Sequence, residues 1–440
     1  MICQIHVRKA AQHAPPTGKK TASERRIPMK YILTFLLIHS ISVFAAALDV
    51  DSLLPQLSLS AAENLWRQKN REVQLAHSLV DAADADRLSA RQRPNPQLSL
   101  NTGSLTSNGG VKQSDAIVRI DQTFERGGKR ELRMKGADLR LSAAREDLAD
   151  TARQSLVALA QAYFDLVLAQ EKLTISQSNA LLFEKTVAAA RLKLQVGDIA
   201  RSELSRIRVD ALRAENDVRQ AQSDVRQAQV SLAYMIGAEA LSSSIHAADH
   251  WPLAQSMPLN PEMNIDQRPD VRSAVLRLQA ANAARDLALA FKTRDVTLGF
   301  QYERNGSNAP SHSVGVGISI PLLTGYEYEG EIRHAEVDAL DAEESLERVR
   351  AQAFVEISRA IDSLENAAQR VKRFQESLLS EAAAALDSAE FAYLHGGLSV
   401  MDLLDARRVY KATLLESANA EADYAKALTV WRHAQGESHS

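Results

Sequence analysis

SVGVGISIP, residues 313–321, decides how this chain must be read. Val314, Val316, Ile318 and Ile320 fall on one face and Ser313, Gly315, Gly317 and Ser319 on the other, the period of two that marks a β-strand. Most of the surrounding chain carries the spacing of long helices. A strand with a continuous apolar face needs something apolar to cover, and the neighbouring sequence offers no obvious core. What that face meets has to be found elsewhere in the chain.

The bulk composition favours helices. The chain has 440 residues, 45% hydrophobic and only 5% aromatic. Ala, Leu, Arg, Glu, Gln and Asp dominate, which suits extended helices better than a thick globular core. A net charge of −3 offers nothing to a nucleic acid. Prolines stand at Pro94 and Pro96, then in a group from Pro252 to Pro321, with none between these sets and none afterwards. The two proline-free tracts are what very long helices require. The first predicts a helix over 129–196, weakened only at Gly136. At 1.5 Å per residue it would be about 100 Å long. Leu132, Leu139, Leu148, Leu156, Leu159, Tyr163 and Leu166 form a stripe along it that seals against neighbouring helices, as in a coiled coil. A helix of that length would not hold alone.

The N-terminus points to export. Arg25, Arg26 and Lys30 precede an apolar run from Tyr31 to Phe44 and the small residues Ala45, Ala46 and Ala47. This is the pattern of a signal peptide cleaved after Ala47, with residues 1–28 an atypical extension or a misassigned start. The apolar run falls short of the roughly 20 residues a spanning helix needs, although an uncleaved anchor is the alternative. Cleavage also removes Cys3, the only cysteine, and with it any disulfide or lipidated cysteine. No later segment approaches about 18 consecutive apolar residues. If the mature chain enters a membrane, it must do so by strands.

The remainder is duplicated. VGDIARSEL (196–204) matches HGGLSVMDL (395–403), SLAYMIGAE (231–239) matches TVWRHAQGE (429–437), and residues 136–154 resemble 333–352, with Ala137 against Ala335 and Gln154 against Gln352. Two copies are expected, 48–250 and 251–440, and their period of about 200 residues is too long for a solenoid repeat. Each opens with two strands, predicted at 97–101 and 116–124 in the first copy and at 296–303 and 313–321 in the second. The intervening loops run from Thr102 to Ser114 and from Arg304 to His312. A long helix follows each pair, over 129–196 and 327–395. The fold class is therefore mainly α with a small β part.

Four strands cannot close a barrel, and an open sheet edge cannot sit in lipid. Pooling strands between subunits resolves this. Three copies supply 12 strands, with the apolar faces to lipid and Arg119, Asp121, Gln301 and Glu303 facing a wet lumen. The face of SVGVGISIP then covers no core because it faces the membrane. The alternative is a soluble hairpin capping a helical bundle.

This organisation resembles the TolC-type outer-membrane efflux factors over essentially the whole mature chain. LSLSAAENLWRQKNREVQLA (57–76) is similar to the family's first periplasmic helix and RPNPQLSL (93–100) to its entry into the first strand. QTFERGGKRELR (122–133) and IPLLTGYEYEGEIRHAEVD (320–338) resemble the two strand-to-helix crossovers. GGLSVMDLLDARRVYKATLLESANAEADYAKAL (396–428) resembles the family's most recognisable block. The resemblance implies a homotrimer, with a 12-stranded outer-membrane barrel continued by a long periplasmic α-helical barrel. Such a duct works with a periplasmic adaptor (membrane fusion) protein and an inner-membrane transporter of the RND type. It catalyses nothing and needs no cofactor. The Glu125–Arg130 segment is closer to the heavy-metal branch, which exports cobalt, zinc and cadmium or copper and silver, than to the multidrug branch. An outlet for organic compounds or secreted proteins is the alternative, as is, in another class, a periplasmic coiled-coil scaffold or adaptor.

The resemblance also carries residues. Asp402 and Asp405 match the acidic pair that lines the constriction at the inner tip of the tunnel, and their i, i+3 spacing puts both on one helix face. Around a threefold axis they would form two acidic rings favouring cations. The bland alternative is two solvated helix acids. Tyr393 stands at the family's tyrosine link, whereas Leu398 occupies the arginine position, leaving Arg407 and Arg408 as candidates for that role. Glu203 takes the place of Asp402 in the first copy. Gly197 and Gly396, with Gly397, are expected in the tight turns of the tip, where an adaptor would dock. His246 and His250 share an i, i+4 spacing that can chelate on a helix, but they fall in an irregular connector without a third ligand, so no metal site is expected.

Overall fold

The computed structural model describes residues 53–106, 112–254, 265–306 and 311–434. The proposed leader, 1–47, lies outside the described residues, as do the centres of the two strand loops. Helices α1 (Leu59–Lys69) and α2 (Arg71–Arg91) lead into strands β1 (Gln97–Thr106) and β2 (Lys112–Phe124), then α3 (Lys129–Gln195) and α4 (Arg201–Ile236). The order then repeats as α5 (Pro269–Ala290), β3 (Val296–Asn305), β4 (Ser311–Ser319), α6 (Glu329–Arg373), a π-helical turn (Phe374–Leu378), α7 (Leu379–Leu394) and α8 (Val400–Ala434). No described helix is long and apolar enough to cross a membrane.

Local chemistry sets these boundaries. Ser58 caps α1 by accepting from the Ala61 N–H, and Asn70 caps α2 by accepting from Val73. Pro269 occupies the first turn of α5, where its missing N–H costs nothing. α3 runs unbroken for 67 residues. Gly136 does not weaken it, contrary to expectation; it lies where α5 comes close, 3.9 Å from the Ala283 Cβ to the position a Cβ on Gly136 would take. The body of the bundle is tied at two polar anchors. The Tyr163 hydroxyl sits 2.9 Å from both the Leu57 carbonyl and an Asp249 oxygen, and burial pushes its pKa up. Arg268, wholly buried, pairs with Asp270 and Glu356 at 2.7 Å each and reaches the Ala434 carbonyl at the end of α8.

The four strands form one antiparallel sheet in the order β1-β2-β3-β4. Leu98 faces Ile120, Ile120 faces Phe300 and Phe300 faces Val316; Leu100, Val118, Tyr302 and Val314 form the next row. These side chains are all exposed, Val316 at 79%. On the other face Ser99, Arg119, Gln301 and Gly315 stand in one row, and Gln97, Asp121, Gly299 and Gly317 in the next. β1 and β4 are each paired along one side only.

The strands are longer at the loop end than the sequence suggests. β1 continues to Thr106 and β2 starts at Lys112, so most of the expected 102–114 loop is ladder; β3 and β4 likewise absorb Arg304, Asn305, Ser311 and His312. Antiparallel pairing satisfies the backbone whatever the side chains, and the Gly, Ser and Asn content that signalled loop is only a weak propensity. At the other end β4 stops at Ser319, before Pro321, which has no N–H to give.

The second long helix also departs from expectation. Instead of one helix over 327–395, α6 and α7 flank a π-helical turn in which the Leu379 N–H reaches back to the Phe374 carbonyl. α6 buries Ile332, Ala339, Leu346, Ala353, Ala360 and Ala367 at heptad spacing, with Ile357, Leu364 and Val371 between. Continued, this pattern would bury Leu378 and Ala385. Leu378 is exposed instead and Leu386 is buried, a shift of one position. The same extra residue is visible between the copies: Ala137 and Gln154 lie one residue nearer to Ala335 and Gln352 than Gly197 lies to Gly396. A π turn is how a helix absorbs a single insertion. Deleting the exposed Ser377 should therefore preserve the fold and shift thermal unfolding by no more than a few degrees, about 1 kcal/mol or less. Deleting the exposed Glu365 instead throws Ala367, Val371 and Phe374 out of register ahead of the π turn and should lower the unfolding temperature much further. Scanning calorimetry of the two purified variants compares them.

Candidate functional site

The end of the bundle opposite the sheet is made by two turns, α3 to α4 and α7 to α8. Gly197 and Gly396 adopt φ of 81° and 76°, the left-handed region in which a side chain is strained. The two turns are built alike. Gly197 donates to the Leu194 carbonyl (3.1 Å) and Asp198 to Lys193 (2.9 Å); Gly396 donates to Tyr393 (3.2 Å) and Gly397 to Ala392 (2.8 Å). This paired 5→2 and 6→1 arrangement closes a helix with glycine. Beneath the turns Phe183, Ala190, Leu204 and Ile207 of α3 and α4 pack with Val400 and Leu404 of α8, so both copies share one apolar cluster.

Asp402 and Asp405 both project from the exposed side of α8, as the i, i+3 spacing required. Asp402 has a local task as well: Ser399 donates its hydroxyl to the carboxylate (2.7 Å) and accepts from the Asp402 N–H (3.3 Å). Ser399 thereby caps the start of α8 while the Asp402 carboxylate holds its hydroxyl. Glu203, its counterpart, sits half-buried at the start of α4, which Ala200 caps without a side-chain bond. Tyr393 packs on the shared cluster, with the Lys193 ammonium 4.6 Å from its ring centroid.

The arginines after the acidic pair tie the helices together. Arg407 bonds Glu390 of α7 (2.9 Å) and Thr186 of α3 (2.6 Å). Arg408 bonds its own helix at Asp405 (3.0 Å) and α4 at Asp210 (2.8 Å), and the Asp210 bond raises its pKa further. Lys411 reaches Asp217 of α4 three residues on. Sequence singled out Arg407 and Arg408 but neither Asp210, Thr186 nor Glu390; the two acids were signalled only by the repeated charge on neighbouring proline-free helices, and the uncharged Thr186 by nothing.

The second group of sequence-derived residues lies in the sheet, separated from the tip by the length of α3. Arg119, Asp121, Gln301 and Glu303 do share one face. Arg119 and Asp121 are bonded to each other rather than spread along it, with Nε 2.9 and 2.8 Å from the two carboxylate oxygens. His246 lies against Gln170 in an extended segment, not on a helix with His250. Among the described residues no three His, Cys, Asp or Glu side chains are grouped to hold a metal.

The family of outer membrane efflux proteins matches this chain twice, over residues 62–238 and 260–437. The cobalt-zinc-cadmium resistance protein CzcC of Cupriavidus metallidurans is 22% identical over 80% of this chain and 83% of its own length. The pyoverdine export outer membrane protein OpmQ of Pseudomonas putida is 25% identical over 73% of this chain and 69% of its own. The crystal structure of the outer membrane protein VceC from Vibrio cholerae superposes with a TM-score of 0.73 and 19% identity, covering 87% of this chain and 97% of VceC.

Proposed function

The chain belongs to the outer membrane efflux protein family, whose members are channels of the outer membrane rather than enzymes, and we propose that it is the exit duct of a tripartite heavy-metal pump. The observation that carries the duct reading is the one-sided sheet. Its apolar face is exposed, its polar face carries Arg119, Asp121, Gln301 and Glu303, and its two outer strands have unpaired edges. Such edges cannot remain open in lipid, and three copies joining β4 to the next β1 close a 12-stranded barrel. Residues 48–250 and 251–440 act as two copies of one unit, so the six helical hairpins of a trimer continue the barrel toward the inner membrane. At their tips, Asp402, Asp405 and Glu203 surround the constriction, and the turns at Gly197, Gly396 and Gly397 meet a periplasmic adaptor coupled to an RND-type transporter.

The metal cargo rests on two supports, the Glu125–Arg130 crossover and the likeness to a cobalt-zinc-cadmium resistance protein. The likeness to a pyoverdine exporter favours an organic cargo instead. Growth of a deletion strain across zinc, cobalt, cadmium, copper and silver, beside dyes and detergents, separates them. Sensitivity confined to metals, reversed by the plasmid-borne gene, is the expected result. Sensitivity to dyes and detergents with unchanged metal tolerance would make the duct a multidrug outlet.

A further inference from the structure

On the polar face of the sheet Arg119 is the one cation among the described residues, against the carboxylates of Asp115, Asp121 and Glu303. Its side chain does not stand out from that face. The guanidinium is gripped by both oxygens of Asp121, and the Asp121 side chain keeps only 19% of its exposure. The pair lies across the neighbouring strand at Gly299, the residue directly opposite Asp121. A Cβ built on Gly299 would stand 2.5 Å from the Asp121 Oδ1 and 2.7 Å from the Arg119 Nη2, closer than real Cβ atoms approach. Gly317, opposite Gly299 on β4, continues the floor, its Cβ position 3.9 Å from the same nitrogen. None of these glycines has a left-handed φ, so their use is space and not backbone freedom.

We propose that Asp121 and the Gly299–Gly317 floor form a seat that keeps the Arg119 charge out of the pore, and that this seat sets the ion preference of the barrel in favour of cations. The inference rests on the duct reading, because only a closed barrel turns this face into a lumen. With Arg119 seated, its charge is cancelled at contact distance and the wall presents the carboxylates of Asp115 and Glu303. Fixed charge on a pore wall concentrates counter-ions and excludes co-ions. With Asp121 neutralised, an extended guanidinium would project from each copy into the same level of the lumen. Asp121 is thus a specificity-determining residue for cation passage, acting by masking a positive charge.

The test is the reversal potential of single channels in a KCl gradient, with the full-length protein in planar bilayers. An Asp402→Asn, Asp405→Asn, Glu203→Gln background prevents the tip carboxylates from dominating the ratio. Asp121→Asn should lower the potassium-to-chloride permeability ratio by at least about threefold. Arg119→Gln should raise it, and the double variant should return it toward that of the background. An Asp121→Asn channel with an unchanged ratio overturns the proposal. Should that variant not insert, an unchanged ratio in Arg119→Gln overturns it equally. Failure of the unsubstituted protein to form any channel would overturn the duct reading itself, which separates the two failures.

Discussion

Val316→Arg is expected to remove the protein from the outer membrane. Val316 lies in the middle of β4, opposite Phe300 and in line with Ile120 and Leu98, and is the most exposed of that apolar row. An arginine at the bilayer midplane of a barrel costs about 2–4 kcal/mol, and a trimer bears it three times. Three such penalties, about 6–12 kcal/mol together, are comparable to the whole stability of an ordinary domain, roughly 5–15 kcal/mol. The control lies three residues away. Ser313 is on the opposite face and directly opposite Glu303, so Ser313→Arg places a cation beside a carboxylate in the lumen. It should insert like the unsubstituted protein. Membrane fractionation and heat-modified gel mobility distinguish them. Normal insertion of Val316→Arg would return the sheet to the status of a soluble cap and end the duct reading.

The contrast between Val316 and Ser313 was legible in SVGVGISIP because a strand side chain has only two directions, and the sequence alternates without a fault. The same holds for the glycine turns at Gly197 and Gly396, where one conformational requirement maps onto one residue type. What sequence could not supply was the partner of each charge. Asp121 reads as a lumen acid until its geometry with Arg119 is seen, because an ion pair lying over glycine depends on the register between β2 and β3. Asp210 reads as a surface acid, since nothing local tells that α8 passes beside it. The π turn was hidden for a different reason. Phe374–Leu378 has good helix formers and no proline or glycine, so propensity sees no break. Only the change in heptad phase and in the spacing between copies betrays the added residue.

Arg407→Ala combined with Arg408→Ala is expected to open the tip. Arg407 keeps only 12% of its side-chain exposure and joins three helices, α8 to Glu390 of α7 and to Thr186 of α3. Arg408 fastens α8 to Asp210 of α4, whose carboxylate is 11% exposed. Swinging α7 and α8 away from α3 and α4 must break the Thr186 and Asp210 bonds, while Tyr393 slides off Lys193. Loss of Arg408 does not strand Asp210 entirely, since Arg213 lies 3.3 Å away, so the penalty stays below the 3–5 kcal/mol of a fully broken buried pair. Taking about 1.5 kcal/mol for each charged hydrogen bond lost, two links amount to about 3 kcal/mol and move the closed-to-open ratio by about two orders of magnitude. Channel conductance should rise severalfold, and cells should become sensitive to large antibiotics normally held outside. A general loosening of the bundle would give the same leak, so reversal of the charges decides between them. In an Asp405→Asn, Arg213→Gln background, which removes the like charges the reversed residues would otherwise meet, Asp210→Arg with Arg408→Asp restores the bond between α4 and α8 with its polarity inverted, and should return conductance toward that of the background channel. Each of those two reversals alone should leave it open. If the double reversal leaks as much as either single change, the arginines stabilise the fold and the latch lies elsewhere in the tip.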